Sequence, residues 1–255
     1  MKFPALRVPW ICGAWLLPVF AAAAQTTYGL QDAEIQGRQL ARQLCDGWPV
    51  ESTNSGVLQI RDAQGQYSEV PVRCEVSRTA TNWRSLYVAG TTNGGRLLLV
   101  IHAPGQTNRY FYVPLLGDIP ILGHLFSGGG LSGAALATPF AGSDFQLGDL
   151  GLEFFHWPEQ TLVRKEFSRG RACQVLESVN PHPAGGGYSR VDSWIDEESS
   201  GIVHAEAYDG GGKLLKVFDP KSFAKVNGQW ELQDMEIRNV QTRSRTRIEF
   251  DLKAN

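Results

Sequence analysis

Apolar and polar positions alternate with a period of two over most of this chain, in short runs separated by turn residues. The runs 56–61, 67–77, 82–89, 96–102 and 108–113 predict five consecutive strands. Asp62-Ala-Gln-Gly65 supplies one turn, and Thr91-Thr-Asn-Gly-Gly95 supplies a hairpin turn of the Asn-Gly type. Pro71 marks an edge position or a bulge in the second run. Leu97-Leu-Leu-Val-Ile101 breaks the alternation with unbroken apolar residues, which predicts a strand covered on both faces.

Only one long stretch has helical spacing. Ala33, Gly37, Leu40, Ala41 and Leu44 fall on one face of a helix over 32–45, with Asp32 as its cap and Gly47-Trp48-Pro49 as its stop. The middle of the chain, 114–139, is rich in glycine and apolar residues and poor in charge, and reads as a long loop or flap. A short helix is expected from Gly142 through Phe155, capped by Ser143 or Asp144. Runs 160–168 and 171–179 form a hairpin turned at Arg169-Gly170, and 180–187 is a Pro/Gly loop. From 188 to 252 the chain reads as a meander of antiparallel strands turned at Gly210-Gly211-Gly212 and at 226–230. Such a meander builds a broad curved sheet rather than a catalytic cleft.

The N-terminal residues change the picture by adding a destination. Lys2 and Arg7 precede an apolar run from Val8 to Phe20, and Ala22-Ala23-Ala24 suits cleavage before Gln25. A signal peptide over 1–24 and a single mainly β domain over 25–255 are expected, placing the protein in the periplasm. An uncleaved anchor is the alternative. Without Lys2 and Arg7 the chain carries 22 bases against 26 acids, so no basic excess marks it for nucleic acid. Cys45, Cys74 and Cys173 remain after cleavage. Cys45 and Cys74 are candidates for a bridge in an oxidising compartment, and buried thiols packed as small hydrophobes are the alternative.

Little in the sequence points to chemistry. The histidines at 102, 124, 156, 182 and 204 form no H-x-x-x-H pair, and no C-x-x-C accompanies them, so neither a metal nor a cofactor is expected. Gly128 to Gly133 satisfies G-x-G-x-x-G by letter but lacks the strand–helix context of a dinucleotide site. Asp192, Asp196, Glu197 and Glu198 read as a solvated hairpin end, and Arg243, Arg245 and Arg247 as the wet side of a strand.

The stretch 139–150, Pro-Phe-Ala-Gly-Ser-Asp-Phe-Gln-Leu-Gly-Asp-Leu, resembles the bacterial outer-membrane lipoprotein-sorting family, the LolA-like periplasmic carriers. Gly142, Ser143, Asp144, Phe145 and Asp149 carry the match, with Trp194 and Asp196 in the later segment 188–196. The resemblance implies a curved antiparallel sheet forming an open half-barrel, with helices packed on its concave side. It further implies a non-enzymatic carrier that shields lipid acyl chains or lipoproteins in an apolar cavity. Envelope sensing or protein interaction on the same fold is the alternative. Strand parity puts Trp83 and Tyr87 on one face and Tyr110 and Tyr112 on one face. These four, with Leu98 and Val100, are the candidate cavity lining, and ordinary sheet packing is the competing explanation. The apolar stretch 113–126 resembles a secretin motif that the rest of the chain does not support. Its part from 115 to 126, bounded by Leu115 and Phe126, is a candidate contact for an envelope protein.

Overall fold

The computed structural model describes residues 29–90, 93–116, 130–226 and 229–252. The proposed signal segment and most of the stretch between Leu115 and Phe126 lie outside them.

Helix α1 (Leu30–Asp46) leads into five strands: β1 (Ser52–Arg61), β2 (Tyr67–Arg78), β3 (Trp83–Ala89), β4 (Asn93–His102) and β5 (Arg109–Leu116). A bridging segment follows, containing 3-10 turns at Gly133–Ala137, Phe140–Gly142 and Glu153–His156 and the one-turn helix α2 (Leu147–Leu150). Seven strands complete the chain: β6 (Glu159–Ser168), β7 (Arg171–Val179), β8 (Arg190–Asp196), β9 (Ile202–Tyr208), β10 (Leu214–Val226), β11 (Gln229–Asn239) and β12 (Arg245–Phe250).

The strands form one antiparallel, curved and unclosed sheet in the order β5-β4-β3-β2-β1-β12-β11-β10-β9-β8-β7-β6. The β1–β12 pairing, with Leu58 opposite Ile248, welds the first meander to the last. One apolar core collects Leu58, Leu98, Leu176, Ile237 and Ile248 from strands far apart in that order. A sheet this wide can bring those side chains together only by curling around them, so burial of one face drives the curvature. The bridging segment fills the inside of the curl, where Phe140, Phe145 and Leu147 are fully buried.

α1 buries Ala33, Gly37 and Ala41, the face expected from its spacing, against β6 and β7. Gly37 makes the approach close: a Cβ there would stand 2.6 Å from the Gln160 carbonyl oxygen. Leu97 to Val100 are all buried, because alternate side chains enter two clusters. Leu98 and Val100 join the main core, and Leu97 and Leu99 pack with Phe111 on the outer face.

Three expectations are corrected. The helix predicted through Phe155 is only the four residues of α2, because Leu152 takes a left-handed backbone (φ 52°) and breaks it. Its start is set by Asp149, whose carboxylate accepts the Gln146 N–H at 2.7 Å, while Ser143 and Asp144 are engaged elsewhere. β10 runs past Pro220 to Val226, and β11 occupies residues read only in part as a turn. The pairing slips near Pro220 and Ser222, so Leu232 and Met235 face the same side across an odd spacing. Cys45, Cys74 and Cys173 are free thiols.

Candidate functional site

The inside of the curl is not completely filled. A hollow of about 460 Å³ remains between β3 and the paired strands β9, β10 and β11, with α1 and the Glu153–His156 turn closing it from the open side of the sheet. This is within the size range of small-ligand pockets, roughly 300–1,000 Å³.

Its β3 wall follows strand parity, and its other walls follow the bulges that shift the register of β9, β10 and β11. Trp83, Ser85 and Tyr87 project from β3; Phe218 and Phe223 from β10; Leu232 and Met235 from β11; Ile202 and Ala205 from β9. Phe154 and Phe155 come from the bridging segment and meet at a ring separation of 4.5 Å. Leu152 and Phe223 line the hollow while staying 41 % and 45 % exposed, so its rim is apolar and wet.

The candidate lining residues fall into three places. Trp83 and Tyr87 border the hollow, and the Tyr87 hydroxyl donates to the Leu150 carbonyl at 3.1 Å. Leu98, Val100 and Tyr110 are fully buried in the core beneath it. The Tyr110 hydroxyl donates to Glu153 Oε2 at 2.9 Å, fastening β5 to the bridging segment. Tyr112 accepts the Ala141 N–H at 3.0 Å and borders a separate groove beside Pro71 and Pro139. Leu115 is buried at the end of β5.

The motif residues hold the bridging segment in place. Gly142 (φ 76°) and Ala141 (φ 50°) make a tight turn that glycine tolerates best, and Phe140 N–H bonds the Phe145 carbonyl across it at 2.7 Å. Ser143 Oγ donates to the Phe140 carbonyl at 2.6 Å. Asp144 receives Ser244 Oγ and Thr246 Oγ1 from the end of the sheet. Asp149 accepts from Tyr188 at 3.0 Å. Trp194 and Asp196 instead lie on the outer face of β8. There Trp194 Nε1 donates to Glu166 at 2.5 Å, and Asp196 pairs with Arg171 at 2.9 Å and with Ser199. Burial alone would raise the Asp196 carboxyl, but the Ser199 hydrogen bonds and the Arg171 charge hold it below the usual range. Arg245 and Arg247 share that wet face, Arg247 forking onto Asp234 at 2.8 and 2.6 Å.

Inside, the electrostatics follow burial. Burial pushes Glu153 up to about 7 and Asp149 up to about 6, in the latter case against Lys216 and the hydrogen bonds from Gln146 and Tyr188. It pushes the Cys45 and Cys74 thiols up to about 12 and His102 down to about 3. Burial thus disfavours the charged form of each of these groups. Among the described residues no three His, Cys, Asp or Glu side chains gather to hold a metal ion, and no helix is long and apolar enough to cross a membrane.

Residues 90–253 match a family model described as "-like: Uncharacterized protein". No curated protein matches the sequence. The structure is similar to a domain described as an outer membrane lipoprotein-sorting protein from Vibrio parahaemolyticus (20 % identity, 86 % of this chain and 92 % of that one, TM-score 0.66). It is also similar to a DUF1329 family protein from Desulfovibrio piger (20 % identity, 88 % and 95 %, TM-score 0.65). A LolA superfamily protein from Nitrosomonas europaea shares 13 % identity over 88 % and 94 % of the two chains, with a TM-score of 0.56.

Proposed function

This chain belongs to the family matched over residues 90–253 and is built on the LolA-like half-barrel, and from that footing we propose that it is a non-enzymatic carrier for lipid chains or lipidated protein. The observation that supports this most is the apolar hollow itself, walled by Trp83, Phe154, Phe218 and Met235 and rimmed by exposed Leu152 and Phe223. Each methylene moved from water into such a space contributes roughly 0.8 kcal/mol, so no directed polar contact is needed for binding. A volume of about 460 Å³ suits one chain-sized guest better than several. Export to the periplasm, suggested by the first 24 residues, would place the carrier where such cargo has to cross water.

The test is uptake of the neutral apolar fluorophore N-phenyl-1-naphthylamine, with native mass spectrometry of the purified protein. Saturable fluorescence enhancement, weakened about tenfold or more by Met235→Lys, is expected because an unpaired charge in the wall must be desolvated. A protein that neither enhances the probe nor copurifies with lipid would overturn the carrier reading.

A further inference from the structure

The pairing of β10 with β11 outruns the strands on either side of it. The two run together from Lys216 opposite Asn239 to Val226 opposite Gln229. β9 follows β10 only as far as Phe218, opposite Ala205, and β12 meets β11 only from Asp234, opposite Glu249. Residues 219–226 and 229–233 therefore form a two-stranded ribbon paired only with itself. Such a ribbon is marginal when it stands alone in water.

Its junction with the sheet is irregular. The register slips between Pro220 and Ser222 and again between Ser222 and Phe223. Bulges bend and twist a strand pair, and Pro220 has no N–H to give to a ladder. At the foot of the ribbon the buried Asp219 gathers His204 of β9 at 2.8 Å, Arg238 of β11 at 3.2 Å and Arg169 at 2.5 Å. The foot is thus clamped to its neighbours. Beyond the slip, one hydrogen bond among the described residues ties the ribbon to another strand: Asn54 Nδ2 of β1 donates to Glu231 Oε2 at 2.9 Å. The ion pairs of Lys221, with Asp219 and Glu236, stay within β10 and β11.

The ribbon stands at the mouth of the hollow. Phe223 and Leu232, opposite one another on it, both line the hollow, and Phe223 is exposed. Gly201 and Ile202, beside the unpaired edge of β10, line the same space. The ladder that would seal the wall between them stops at Phe218.

We propose that this ribbon is the gate of the hollow, turning about the slip between Pro220 and Phe223 and latched by the hydrogen bond between Asn54 and Glu231. Opening it costs one part-buried hydrogen bond and no rung pairing β10 to β9 or β11 to β12. Displacing the opposite rim, at Leu152, would break the bonds that Tyr87 and Tyr110 make to the bridging segment. The inference rests on the carrier reading and deepens it by assigning the way a guest enters.

The experiment follows N-phenyl-1-naphthylamine binding to the full chain by stopped-flow fluorescence. Asn54→Ala is expected to speed association and release alike, each about fivefold, the weight of one net hydrogen bond, with little change in Kd. Glu231→Gln keeps an oxygen for the Asn54 amide and should leave both rates close to those of the unaltered protein. Hydrogen exchange supplies a measure that needs no variant. Amides of 221–226 and 229–233 should exchange about tenfold or more faster than those of 214–218 and 235–239 on the same strands, and slow when the probe is bound. A ribbon that exchanges as slowly as the rest of β10 and β11 would overturn the gate while the carrier reading stands. So would an Asn54→Ala variant whose rates are unchanged, or whose affinity shifts through release alone. A protein that never binds the probe would remove the carrier reading, and the gate with it.

Discussion

Asp144 and Thr246 stand 102 positions apart in the chain and bond to each other twice: the Asp144 N–H donates to Thr246 Oγ1 at 2.9 Å, and that hydroxyl donates to Asp144 Oδ2 at 3.0 Å. Ser244 Oγ reaches the other carboxylate oxygen at 2.5 Å. One residue thus fastens the bridging segment to the last strand. Hydrogen bonds to a charged acceptor contribute about 1.5–3 kcal/mol, and Thr246 is fully buried, so losing its acceptor leaves a stranded hydroxyl. Asp144→Ala should cost about 2–4 kcal/mol in urea unfolding. Asp144→Asn should recover part of that. A loss below about 0.5 kcal/mol would show the fastening to be incidental.

The contribution of Glu153 and Asp149 to stability should fall as pH rises from about 4.5 to 7, while the buried His102, held down to about 3, pulls the other way up to its unfolded value of 6.5. Glu153 moves from its ordinary 4.5 up to about 7 because of burial, the Tyr110 hydroxyl opposing the shift, and Asp149 moves from 3.8 to about 6. Both folded values exceed the unfolded ones, so the unfolded chain ionises first on raising pH. The contribution is complete below the unfolded values and lost through the folded ones. Glu153→Gln keeps an acceptor for Tyr110 but cannot ionise. Its melting temperature relative to that of the unaltered protein should climb from pH 5 to pH 8, where it should be the higher of the two. An unchanged pH profile in this variant would remove Glu153 as the cause.

Leu152 pulls stability and function apart. Its left-handed backbone costs a non-glycine residue roughly 1–2 kcal/mol, and its side chain stands exposed at the rim of the hollow. Leu152→Gly should therefore raise the melting temperature while weakening probe binding. A variant that binds the probe more tightly, or melts earlier, would mean the side chain is chiefly a core residue.

Gly37→Ala tests the seat of α1. Alanine favours a helix by about 1 kcal/mol over glycine, so an exposed site would gain. Here the added methyl meets the β6 backbone at 2.6–2.7 Å, where no side chain can yield. Net destabilisation of about 1–3 kcal/mol is expected by thermal melting, and any gain in stability would show that α1 does not sit against β6.

Much of this architecture is legible in the residues, and the misses have physical causes. The spacing of Ala33, Gly37 and Ala41 predicts the face of α1, and the unbroken run from Leu97 to Ile101 predicts a strand buried on both sides, because each depends only on local periodicity. β11 escapes a period-two reading because the slip near Pro220 and Ser222 moves Leu232 and Met235 onto one face. Asp144 looks like a helix cap because its true partners, Ser244 and Thr246, are a hundred residues away. The cavity is half legible. Parity selects Trp83 and Tyr87, but it cannot say that Phe218 and Met235 stand opposite them, since that depends on how far the sheet curls. His102 is weighed in the sequence only as a metal ligand; its burial beside Trp83 emerges from the register of β3 and β4.

The strand order begins at β5 and ends at β6, and these two never pair. The two walls of the hollow, β3 and β10, are connected only the long way round, through β2, β1, β12 and β11. Their spacing is held by the wedge between them rather than by a seam of backbone bonds. Such a container has no fixed gauge. If the hollow holds a guest, a thicker one would be accommodated by shifting the wedge and flexing the spine of the sheet, since β5 and β6 share no ladder to break.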